Sequence, residues 1–158
     1  MPNEAKIDFG KNGYQNGNAH IYNSVDEVPM PWPWKDISPE EVACRRTGKV
    51  LIVPGFLDLV QKLKETVKKS GFGALPIADQ WCLECNTIGE DNPYAHGLAV
   101  RFKVHGRVAW ALIGIAGAQG FSGCGVQQGG PREERYIHLD CLSDREGEFR
   151  PDIWVIPS

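Results

Sequence analysis

Between Pro54 and Lys69 the apolar residues Phe56, Leu59, Val60, Leu63 and Val67 fall at i, i+3, i+4, i+7 and i+11. That spacing lays them along one face of an α-helix. Proline suits the first turn, and Ser70-Gly71 supplies the stop. Lys62, Lys64, Lys68 and Lys69 fall mostly away from the apolar stripe and read as a solvated face. A helix of this kind must bury its stripe against another layer. The chain offers short strands for that layer. Leu98, Val100, Phe102 and Val104 alternate along Gly97 to Val104. Tyr136 to Leu142 puts Ile137, Leu139 and Cys141 on one face and Tyr136, His138 and Asp140 on the other. Ala74 to Trp81 reads as a buried strand and Asp152 to Ile156 as a short last one. Arg107 to Gln119 reads as a second helix, in which Gly114 and Gly117 either weaken the helix or permit close packing. The fold class expected is α+β: a small antiparallel sheet with helices packed on one side.

At the front of the chain, residues 1–31 are rich in Asn, Gly and Lys and read as an N-terminal arm with little regular structure. Residues 32–158 read as the domain. Pro31-Trp32-Pro33-Trp34 is stiff, and its two indoles are expected to anchor the arm. Ser38-Pro-Glu-Glu41 has the pattern of a capping box ahead of a short helix, and Lys49 to Val53 is a short apolar run.

The 158 residues are the size of one domain, and 42% hydrophobic with 23% charged residues is the balance of a globular chain. With a net charge of −3 there is no basic stripe to hold nucleic acid and no polybasic patch for a membrane. The first residues lack the apolar core of a secretory signal, and no apolar run reaches roughly 18 residues. Cytoplasmic synthesis is therefore expected. Cys44, Cys82, Cys85, Cys124 and Cys141 are an odd number in a chain that needs no staple, which favours free thiols.

Several residues could carry chemistry. Asn92-Pro-Tyr-Ala-His-Gly-Leu-Ala-Val-Arg101 and Tyr136-Ile-His-Leu-Asp-Cys141 have the shape of a two-segment metal site. Cys82-Leu-Glu-Cys85 has the spacing of half a structural zinc site, to which His96 and His138 could contribute. His20 and His105 read as solvated. The glycines from Gly120 to Gly125 lack the strand-to-helix setting of a nucleotide loop and read as tight turns beside a cleft.

The order of landmarks resembles the zinc D-alanyl-D-alanine carboxypeptidase family, above all its short phage and bacterial members, whose fold is shared with the hedgehog signalling domain. The resemblance spans residues 32–156. It rests on Trp34-Lys-Asp-Ile-Ser-Pro-Glu-Glu-Val-Ala-Cys44, Thr47-Gly48 and the helix Gly55 to Lys69. It continues through Leu75-Pro-Ile77, Glu84-Cys-Asn86, Gly97-Leu-Ala99, Gly123-Cys-Gly125, Tyr136-Ile-His-Leu-Asp140 and Arg150-Pro-Asp-Ile-Trp154.

The resemblance implies a hedgehog-like fold and a zinc held by a histidine and an aspartate from one segment and a histidine from a later strand. An arginine would grip the substrate carboxylate, and an acid or histidine near the last ligand would serve as base. Aligned on Gly97 and Ala99, the serine of the first segment falls on Asn92, its histidine on Tyr94 and its aspartate on Arg101. Aligned on Asn86, the gripping arginine falls on Trp81. Three residues before His138, where a base would sit, is Arg135. Only His138 and Asp140 keep their types. A permanent cation at Arg101 repels a metal where a carboxylate would attract it, and an ion pair from Arg101 to Asp140 could fill the space instead.

Three readings follow. In the first, the domain has lost metal and reaction and serves as a structural or binding module. It would be a virion or tail component, or a cell-wall-binding accessory. Its partner would be another protein or a peptidoglycan peptide, its arm would mediate assembly, and it would carry no cofactor. In the second, it is an active zinc peptidase on peptidoglycan peptides with rearranged ligands, His96 and His138 with Cys82 or Asp140. In the third, a structural zinc at Cys82 and Cys85 makes it a scaffold.

Overall fold

A computed structural model describes residues 3–5, 19–78, 97–142 and 151–158. The longest element is the helix α1, Pro54–Lys69, with the bounds that its apolar spacing predicts. Its buried side is turned slightly from that stripe. Phe56, Val60, Leu63 and Val67 are buried, Leu59 only partly so, and Leu57 and Lys64 join them. Each large apolar side chain taken from water in this way contributes about 1.5–3 kcal/mol.

Two small sheets complete the fold. The first consists of β1 (Asn3–Ala5), β2 (Ala19–Tyr22) and β3 (Val50–Ile52), in that order and antiparallel. Within residues 1–31, β2 is hydrogen-bonded to β3, and Tyr22 is buried. Its pairing partner lies some thirty residues downstream and leaves no local pattern. The Trp pair behaves as expected. Trp34 is buried and its indole N–H donates to Asp58 Oδ1 of α1 at 2.8 Å, while Trp32 meets it edge-on at 4.9 Å. The Ser38–Glu41 capping box also forms, on a 3₁₀ turn at Pro39–Val42.

The second sheet carries the expected site residues. Its strands are β4 (Ala99–Phe102), β5 (Gly123–Gln127), β6 (Tyr136–Asp140) and β7 (Asp152–Val155), in the order β4-β6-β5-β7. β6 runs antiparallel to both neighbours, but β7 lies parallel to β5. The sheet is therefore mixed rather than antiparallel. Val100, Phe102, Ile137 and Leu139 line one face and join the core. The second helix, α2 (Gly106–Gln119), packs on α1 and β6 and ends at Gly120 in the left-handed conformation, φ 103°. The mixture of two helices and two small sheets is α+β.

Residues 74–78 form no strand among those described. Leu75 and Ile77 are buried in alternation, but only one bridge is made, from Ile77 to Phe102. Pro76 between them has no N–H for a ladder.

Candidate functional site

The register of the second sheet decides which side chains meet. Arg101, His138, Gly125 and Trp154 form one row across all four strands. Ala99, Asp140, Gly123 and Asp152 form the next. Paired residues share a face. The described end of the first segment is thus brought beside the second, with Arg101 directly opposite His138.

Alternation along β6 predicts a half-solvated polar face, yet His138 and Asp140 are only 5% and 1% exposed. A buried carboxylate has to be hydrogen-bonded, and Asp140 is. His138 Nε2 lies 2.7 Å from its Oδ2, and the backbone N–H of Leu142 donates to its Oδ1 at 3.1 Å. The imidazole is flanked by the Trp154 ring, with centroids 5.3 Å apart. Gly125 makes room for that ring. A Cβ there would lie 3.0 Å from Trp154 Cε2 and 2.7 Å from Ile156 Cδ1. The glycine in the strand interior was the sequence signal for this close approach.

Arg101 takes a different position from the ion pair with Asp140 that the sequence suggests. Its guanidinium lies over the Tyr136 ring, 4.3 Å from the centroid, a cation–π contact. Its carbonyl accepts from Ala78 N–H at 2.8 Å, which brings the Leu75-Pro-Ile77 landmark beside the outer edge of β4. Asp140 is instead hydrogen-bonded to His138.

Trp81, Cys82, Cys85, Asn92, Tyr94 and His96 lie outside the described residues. Among the described residues no three His, Cys, Asp or Glu side chains converge as metal ligands. The donors that do meet, His138 and Asp140, are bonded to each other, and the group facing His138 across the sheet is a cation. Among the described residues these two donors fall short of the three or four ligands of a zinc site.

Cys124 and Cys141 are free thiols. Burial, with the nearby Asp140 carboxylate, pushes the Cys124 thiol up to about 11 and raises that of Cys141 further. Neither is a nucleophile at neutral pH.

A second constellation escaped the sequence reading. Lys64 is 5% exposed, not part of a solvated face. Its ammonium donates to the carbonyl of Asp36 at 2.7 Å and to Glu41 Oε1 at 3.4 Å. That same oxygen accepts from Ile77 N–H at 3.1 Å, and Glu41 Oε2 from Ser38 N–H at 2.8 Å. Glu41 therefore ties the 3₁₀ turn, α1 and the 74–78 segment together at the wall of a pocket of about 210 Å³. The sequence signal was Glu41 itself, whose second oxygen a capping box leaves available.

No family model, no curated protein and no solved structure matches this chain.

Proposed function

We propose that this chain is a catalytically degenerate relative of the zinc D-alanyl-D-alanine carboxypeptidases, with their hedgehog-like fold, serving as a binding or structural module. The observation that supports this reading most is the pairing of Arg101 with His138. The resemblance assigns both positions to metal ligands, and ligands of one metal have to stand side by side on one face. The register is compatible with that relation, and the cation at Arg101 weighs against a metal there. His138 spends its Nε2 on Asp140, and Arg101 brings a charge that repels a divalent ion.

The occupant of such a cleft is a peptidoglycan peptide or a partner protein, and residues 1–31 mediate assembly. A virion or tail component, or a cell-wall-binding accessory, is the setting that suits these features. The test uses purified peptidoglycan and a pentapeptide ending in D-alanyl-D-alanine. The chain should co-sediment with peptidoglycan in the presence of chelator and release no D-alanine with zinc added. Release of D-alanine that the chelator abolishes would overturn the reading.

A further inference from the structure

The helix α2 is apolar nearly all round, with Arg107 and Gln119 its only polar residues. A helix of that composition is normally enclosed on every side. Here only Ala109, Leu112 and Ala116 are fully buried, all on the side facing the core. The opposite side carries Arg107, Trp110, Gly114 and Gly117 at helical spacing, all exposed, and Trp110 is 81% exposed. A Cβ built at Gly114 or Gly117 meets no atom within 4 Å. The face is a large apolar knob beside a flat floor.

From this we infer that α2 pairs antiparallel with α2 of a second copy of the chain. A two-fold axis between Ile113 and Gly114 sets Trp110 of each copy over Gly117 of the other, so knob and floor are self-complementary, as a two-fold contact requires. Charge selects the direction. Arg107 stands in the first turn, at the positive end of the helix, which has no acidic residue there, and the last turn has no basic residue. In the antiparallel pair each Arg107 reaches the partner's negative C-terminal end, near Gly120, where a cation stabilises. A parallel pair stacks like ends and leaves both mismatches. Two helices about 21 Å long bury less than a standard interface, so the dimer is a weak, concentration-dependent one.

Sedimentation velocity of the full chain, from low micromolar to several hundred micromolar, tests this. The wild type should pass from monomer to dimer across that range. Trp110→Ser should weaken the dimer by about tenfold or more, as loss of a central aromatic anchor does. Gly117→Leu and Arg107→Glu should weaken it too, the latter without loss of helix stability, since an acid suits its own N-terminus. A monomer at every concentration would overturn the inference. So would a dimer indifferent to Trp110→Ser and Gly117→Leu.

Discussion

Lys64 shows how one residue escapes its pattern. By charge it reads with Lys62 and Lys68, but it stands four residues after Val60 and three before Val67, at the edge of the apolar stripe, and is buried with them. Desolvation holds its pKa below the ordinary 10.5, and the charges of Glu41 and Asp36 only partly offset that. The sign of the pH effect follows. The folded pKa lies below the unfolded one, so between them the unfolded chain binds more protons and stability rises with pH. The melting difference between wild type and Lys64→Met should be flat below that window and shift in favour of the wild type as pH approaches 10.5. A difference that stays flat to that pH would contradict the buried placement. His138 and Asp140 were easier to read, since residues two apart on a strand share a face whatever else happens. Their burial was not legible, because it depends on what covers the second face of β6.

At the level of elements, what the sequence states locally came through. α1 keeps its bounds, β4 and β6 keep their alternation, and the Ser38–Glu41 box forms. What depends on distant pairing did not. β2 is made a strand by β3, residues 74–78 make a bridge instead of a strand, and β7 enters parallel to β5. None of these leaves a periodicity to find. Gly125 shows the intermediate case, where the glycine marks a close approach without naming the neighbour. Gly125→Ala should force Trp154 off its seat beside His138 and cost about 1–3 kcal/mol. Denaturant unfolding would measure the loss, and near-ultraviolet circular dichroism the movement of the indole. An alanine variant matching the wild type in both would contradict the packing of β7 on β5.

For the molecule as a whole, the sheet brings Arg101 beside His138, the two positions on which the proposed loss of a metal turns. Arg101 is paired in register with His138 and lies over Tyr136, and the His138 Nε2 is engaged by Asp140. The cation at Arg101 was legible in the sequence. How the space is used was not, because Arg101 turns to Tyr136 where an ion pair with Asp140 was expected. The most direct test is the zinc content of the native protein, purified from zinc-supplemented cells and measured by elemental analysis against protein concentration. The account predicts zinc far below one ion per chain, unchanged in His138→Ala. One zinc per chain, lost in His138→Ala, would contradict it.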